Sequence, residues 1–546
     1  MTLPFGPRLV EGGATFGVWA PSVTSLAVRL GGRTASLEPG DRGVWRGFVE
    51  GAAAGDDYLL VLDGERERPD PRSRFQPHGV HGPSRLVDLG PPPAPLRIPA
   101  LEDLVFYELH CGTFTPEGTF DAAAQRLGHL VDLGVTAVEV MPVAAFPGSR
   151  GWGYDGVALY AVHAAYGGPA AFGRFVDACH AAGLAVVLDV VYNHLGPDGN
   201  YLGEFGPYFS GRHTTTWGPA PNFDGPGADG MRSFVVDNAR MWLRDYHFDG
   251  LRLDAVHALV DDSAVHLLEQ LSVSVEALAA ELGRPLWLIA ESDLNAPRFV
   301  EPPGRGGYGL AAAWADEWHH ALHAALTGER DGYYADFGPL RLLAKALRQA
   351  WVYDGIWSPQ RQRTFGRPPT GLHGSQFVVC AQNHDQVGNR AAGERLGHLV
   401  KPEQLRSAAV LLLSAPFVPL LFQGEEWAAS TPFPYFTDLD PELGARVTAG
   451  RAQEFAAFGW RPEDIPDPQD PATFASAVLR WDERGEPEHA AMLAWHRELI
   501  ARRRATPGLA AGPLDDVEVD LDEAAGRLVL RRRAAGVEVE ARLSPG

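Results

Sequence analysis

The sequence predicts an α/β chain, a (β/α)8 TIM barrel with an N-terminal β-sandwich and a small C-terminal β-domain. Three observations predict it. Short alternating runs broken by Gly, Pro and Asp fill residues 1–90. β-branched runs then alternate with amphipathic runs of helical length through residues 97–505, and strand-like alternation returns over 506–546. With 546 residues and 45% apolar side chains, the chain exceeds what one core supports and can fill more than one.

The N-terminal strands read as TFGVWAP, SLAVRL, GVWRGFV and DYLLVLD, and PPPAP at 91–95 reads as the linker that follows them. The middle region offers eight strands: LVFYEL at 104, AVEVMP at 137, AVVLDVV at 185, GLRLDA at 250, LWLIAE at 286, AAAWAD near 311, FVVCAQN at 377 and VPLLFQG at 418. Helical patterns between them include 121–133, 170–182, 261–282, 338–350, 402–414 and 488–504. Eight such units without a Gly-rich dinucleotide turn favour a closed barrel over an open doubly wound sheet. The connection at 192–232 is far longer than a usual βα loop and rich in Gly, Pro and aromatic residues, the mark of a functional loop. The last segment, VEVDL, RLVLRRR and VEVEARL, is too short to close a sandwich by itself.

Composition narrows the function. A formal charge of −22 disfavours phosphate-backbone binding, which needs clustered cations, and suits a neutral substrate. Lys345 and Lys401 are the only lysines, and neither lies in a Gly-rich strand-to-helix turn, so a phosphate-binding loop is excluded. Cys111, Cys179 and Cys380 are odd in number and lack metal-ligand spacing, the usage of a reducing, cytoplasmic compartment. MTLPFGPRLVEGG lacks a basic stretch followed by an apolar core, and no apolar run reaches membrane-spanning length, so a soluble protein is expected.

Several expected strands end in polar groups: Asp189 with Asn193 and His194, Arg252 with Asp254, Glu291 with Asp293, and Asn383 and His384 with Asp385. In a closed barrel those ends converge on one face. A single Asp at a strand end is more often the cap of the next helix, but capping does not explain three or more converging carboxylates. Glycoside hydrolysis needs that equipment, one carboxylate at the anomeric carbon and one carboxylic acid on the leaving oxygen, roughly 5 Å apart in retaining enzymes. Neighbouring acids keep the second carboxyl protonated. Arg252, two residues before Asp254 on the same strand, faces the same side and keeps Asp254 ionised, which makes Asp254 the nucleophile.

DVVYNH at 189–194, GLRLDAVH at 250–257, LIAESD at 288–293 and QNHDQ at 382–386 resemble the four ordered motifs of the α-amylase superfamily, glycoside hydrolase family 13. The resemblance implies retaining chemistry with Asp254 as nucleophile, Glu291 as acid/base and Asp385 as the carboxylate on the distorted sugar. It also implies that His194 and His384 bind sugar hydroxyls and that Tyr154 stacks beneath the ring, with Asp189 and Arg252 in the same substrate-binding set. GWGYDG at 151–156, LYAVHAAYGGP, LIAESDLN, AQNHDQVGNR and FQGEEW are similar to the branch that cuts the α-1,4 bond next to a terminal trehalose. Its substrates would be maltooligosyl trehalose and related α-glucans. His257 and Asp293, just past the catalytic strand ends, are then expected at the leaving group, with helix capping as the even alternative. The N-terminal segment resembles a glycogen-binding module, and the C-terminal one is shorter than the family's.

No cofactor and no required metal are expected. The position of Asn193 holds calcium in some amylases, but no supporting carboxylate cluster is evident in the long loop. His319, His320 and His323 have helical spacing suited to zinc, yet an exposed or capping cluster is the better reading. YLGEFGPYF at 201, TTTWGPAPNFDG at 214 and FPYFTDLD at 433 either line a sugar groove or pack as loops. Rival functions are a glycogen branching enzyme, another α-1,4-glucan hydrolase, and a non-catalytic glucan-binding protein. QNHDQVGNR departs from the Ser-His-Asp-Glu arrangement usual in branching enzymes, and no catalytic carboxylate is missing, which disfavours the binding protein.

Overall fold

The computed structural model describes residues 5–90, 98–454, 460–461 and 464–543. The proposed linker at 91–95 lies outside the described residues.

All eight expected strands form one closed barrel in chain order: Phe106–Leu109, Ala137–Val140, Ala185–Val190, Gly250–Leu253, Trp287–Ala290, Ala312–Trp314, Phe377–Cys380 and Val418–Phe422. Neighbouring strands pair in parallel, and the last closes on the first through Phe106 opposite Leu420. Side chains alternate across a strand, so every second residue points into the barrel. The inward set is apolar at its base, with Phe106, Ala137, Val187, Ile289, Trp314 and Cys380 in one buried cluster. Two residues further along each strand the same parity gives Glu108, Glu139, Asp189, Glu291, Asp316 and Gln382. A dry floor therefore carries a polar layer at the C-terminal mouth.

The helices depart in detail from the sequence reading. The stretch 121–133 breaks into Phe120–Ala124 and Leu127–Leu133, the first capped by the Thr119 hydroxyl. Leu267–Leu282 begins later than expected because the His266 ring caps it, accepting from Leu268 N–H. The long loop is itself structured, with a turn of helix at Leu202–Phe205 and a hairpin, Phe209–Thr215 with Gly218–Pro221, before helix Ala228–Asp245.

At the N-terminus two antiparallel sheets of four and five strands bury Phe16, Val18, Leu26, Val28, Leu60 and Leu62 in a core continuous with that around the barrel. The start of the long loop docks on these sheets. Glu204 accepts from Arg66 at 2.9 Å and Arg68 at 2.8 Å, and the Tyr208 ring meets Trp19 edge-on. The YLGEFGPYF segment therefore packs against the N-terminal sheets instead of lining a groove. The three C-terminal strands, Val517–Asp522, Arg527–Arg532 and Val537–Arg542, form one sheet against helices Leu340–Gln349 and Pro402–Ser414.

Candidate functional site

Arg252 organises the mouth of the barrel. Its buried guanidinium donates from Nη1 to both oxygens of Asp189 (2.9 and 2.8 Å) and to Asp254 Oδ1 (2.8 Å). Its Nη2 lies 3.7 Å from Glu291 Oε2, and its plane covers the Trp314 ring at 4.4 Å. Asp254 Oδ2 accepts from Asn193 Nδ2 at 2.8 Å, so each of its oxygens is held by a donor.

Ala255, the residue after Asp254, has φ +40°, a strained value for a residue with a Cβ. The strain points its N–H at Glu291 Oε2, 2.6 Å away. Burial pushes the Glu291 carboxyl well above the ordinary carboxylate range; Arg252 opposes this, while Asp254, Asp316 and Asp385 add to it. Glu291 is thus shifted towards its protonated form beside an arginine-held carboxylate, the asymmetry expected of an acid and a nucleophile.

Asp385 lies on the short helix His384–Gly388, but Asn383 is the cap, accepting from Gln386 N–H at 2.8 Å. Asp385 is therefore not consumed by capping; its Oδ1 accepts from Asn389 at 2.6 Å. Tyr154 stacks on the His384 ring (5.3 Å, 22°) and its hydroxyl joins His384 to Asp189. His194 is already engaged on both nitrogens, Nδ1 with Asn193 Oδ1 at 2.5 Å and Nε2 with Tyr154 O at 3.1 Å. Burial lowers its pKa, and its ring stacks on the half-exposed Trp217 of the hairpin.

The remaining expected residues sit at the rim. Asp293 caps no helix and pairs with Arg361 at 2.9 Å, reached from the hairpin Asp354–Ser358 and Arg363–Gly366. His257 is exposed on the turn Val256–Ala258 and has no hydrogen bond or ion pair among the described residues. The sequence reading missed Asp316, whose carboxyl burial and Asp385 raise to about 7, and Glu108, which holds His384. Strand parity would have found both.

The structure bears on three further readings. His319 and His323 are buried, not exposed: His319 bonds Ala381 O and Tyr334, and His323 bonds Glu329. Phe433 and Phe436 are buried around Trp152 and His110, so that segment supports the site from beneath. A group of metal-ligand side chains does form where the long loop meets the segment after the fourth strand. His213, Asp224 and Asp262 bring ligand atoms within 4.8 Å of one another, yet Arg212 already faces Asp262 and His213 faces Asp224. Asn193 spends its amide on Asp254 and His194.

The family model for the alpha amylase catalytic domain matches residues 80–207. A malto-oligosyltrehalose trehalohydrolase of Rhizobium sp. (strain M-11) is 49% identical over 97% of this chain and 91% of its own length. A crystal structure from Salmonella typhimurium, provisionally called an alpha amylase, superposes with a TM-score of 0.92 at 38% identity, covering 99% of this chain and 93% of that one. The 1,4-alpha-glucan branching enzyme GlgB of Bacillus caldolyticus is more distant, 32% identical over 80% of this chain and 68% of its own length. A relative this similar over nearly the full length of both chains, on a barrel whose mouth carries the expected carboxylates, shows that the chain belongs to the malto-oligosyltrehalose trehalohydrolase family.

Proposed function

We propose that this enzyme is a retaining α-glucan hydrolase that releases trehalose from maltooligosyl trehalose by cutting the α-1,4 bond next to the terminal trehalose. The observation that carries the chemistry is the unequal pair: Asp254 fixed by Arg252 and Asn193, and Glu291, whose carboxyl is shifted towards its protonated form by desolvation and neighbouring carboxyls. Full-length similarity to trehalohydrolases, and only distant similarity to a branching enzyme, supports water as acceptor and trehalose as leaving group.

In the first step an Asp254 oxygen attacks the anomeric carbon while Glu291 gives its proton to the departing trehalose oxygen, and the glycosidic C–O bond breaks. Asp385 holds the sugar in its distorted form, and Tyr154 supplies a flat face below it. In the second step the Glu291 carboxylate takes a proton from water, whose oxygen displaces Asp254 from the anomeric carbon. Both carboxyl groups are restored and one water is consumed. Asp293, with Arg361, and His257 read the leaving group from the rim. A cytoplasmic place in trehalose biosynthesis accords with three buried free cysteines. Among the described residues no helix is long and apolar enough to cross a membrane.

Incubating the enzyme with maltooligosyl trehalose and with plain maltooligosaccharide, and measuring free trehalose and maltose, tests the reading. Equal rates on the two substrates would make it an ordinary amylase, and lengthened or branched chains a transferase.

A further inference from the structure

His384 is engaged on both ring nitrogens, and counting protons along its contacts fixes the charge of the ring. Glu108, buried on the first barrel strand, accepts the backbone N–H of His384 through Oε2 at 2.9 Å and meets Nδ1 through Oε1. On the opposite side, Nε2 lies 2.7 Å from the Tyr154 hydroxyl, which in turn lies 2.5 Å from Asp189 Oδ2. Tyr154 has one proton to give. Asp189, lifted by burial to about 6, remains an anion at neutral pH and accepts from Arg252 on both oxygens. The tyrosine proton therefore goes to Asp189, and the tyrosine oxygen accepts from Nε2, which must carry hydrogen. Nδ1 faces a carboxylate, which offers only lone pairs, so it too must carry hydrogen.

We infer that Glu108 is a positioning residue that holds His384 as an imidazolium, so that this histidine meets the sugar of the reactive subsite already charged, with Nε2–H held on the Tyr154 hydroxyl.

Charge balance supports this. Glu108 and Asp189 are buried carboxyl groups, and Arg252 is already shared among Asp189, Asp254 and Glu291. Glu139, beside Glu108 in strand register, is pushed by burial well above the carboxylate range and has both oxygens unpartnered among the described residues. The cation in contact with Glu108 is then His384, without which a buried carboxylate would be uncompensated. The groups facing His384 from the surrounding elements are Glu108, Tyr154, Asp189, Arg252, Asp316, Asp385 and His110. His110 is itself neutral, pushed down by burial to about 4. Burial lowers the His384 pKa, but Glu108 and Asp385 outweigh it and the net shift is upward despite Arg252.

The test has a spectroscopic arm and a kinetic arm, and only the kinetic one rests on the hydrolytic reading above. In enzyme carrying 15N-labelled histidine, the His384 signals are identified by their absence in His384→Gln. The expected result at neutral pH is hydrogen on both ring nitrogens in the unmodified enzyme; a single protonated nitrogen overturns the inference, and no variant at position 108 has to fold for that result. In Glu108→Gln one nitrogen should lose its proton at neutral pH. The alkaline limb of kcat/KM should move towards acid by about one pH unit or more, the effect of removing one adjacent opposite charge. Glu108→Asp should restore most of the shift, and in a His384→Gln background Glu108→Gln should move the limb no further. A loss of rate equal at every pH would mean that Glu108 only supports the fold, and would overturn the inference. Doubly protonated His384 in an enzyme that releases no trehalose would sink the substrate assignment and leave this inference standing.

Discussion

Replacing Glu291 with Gln removes one proton and almost no volume, and the structure separates the consequences. The side chain is 15% exposed, Oε2 accepts from Ala255 N–H at 2.6 Å, and Arg252 Nη2 lies 3.7 Å away. The amide oxygen placed at Oε2 keeps both the Ala255 bond and the long approach to Arg252, so what disappears is the acidic proton. Stability should change by no more than about 1–2 kcal/mol. Losing a general acid should slow trehalose release by roughly 10²–10⁴-fold, about 2.7–5.4 kcal/mol of barrier. The pH dependence has a definite sign. The working form of Glu291 is protonated and its pKa is raised, so wild-type kcat/KM holds at lower pH and falls as pH rises through that pKa. Glutamine has no such proton to lose, so the fall set by Glu291 should go and only the fall set by His384 should remain. The assay compares maltooligosyl trehalose with a nitrophenyl maltoside, whose nitrophenolate leaving group needs no protonation. The covalent intermediate should still form from the nitrophenyl maltoside. An equal loss on both substrates would refute Glu291 as the acid.

Four other substitutions have defined outcomes. Asp254→Asn should abolish turnover yet fold, because its amide oxygen still accepts from Arg252; setting its N–H₂ against Asn193 Nδ2 should cost about 1–3 kcal/mol, read as a lowered melting temperature. Asp293→Ala should lower kcat/KM for maltooligosyl trehalose by at least roughly tenfold, about 1.4 kcal/mol, with less effect on plain maltooligosaccharide. Arg361→Ala should discriminate in the same way if the pair reads the leaving group, and a common factor on both substrates would count against it. Arg503→Met should destabilise without changing catalysis. Arg503 is buried and donates to Leu413 O, Ala415 O and Phe417 O just before the eighth strand, and losing three such bonds should cost about 3 kcal/mol or more, seen as a lower denaturant midpoint at unchanged slope.

What could be read from the sequence depended on whether the signal was local. The eight strands were legible because buried parallel strands are continuous apolar runs, and Asp254, Glu291 and Asp385 because they end such runs. Phe209–Thr215 and Gly218–Pro221 were not, since a two-stranded hairpin spanning a Pro-rich segment looks like loop, and the packing that stabilises it comes from His194 and the N-terminal sheets. His319 and His323 were misjudged as exposed because their partners, Ala381, Tyr334 and Glu329, lie on other segments. Glu108 and Asp316 are the instructive misses. Each follows an inward apolar residue by two, Phe106 and Trp314, so the period-two rule that identified the strands also assigned these acids to the barrel interior. Applied along every strand, the rule gives Glu108, Glu139, Asp189, Arg252, Asp254, Glu291 and Asp316 on one polar layer, six carboxyl groups with one arginine. That many acids cannot all be charged around one guanidinium in a buried space. The structure eases the excess by shifting Glu139 and Glu291 towards their protonated forms, and a cationic His384 beside Glu108 would offset part of the remaining charge, at the same ring that the hydrogen-bond geometry singles out.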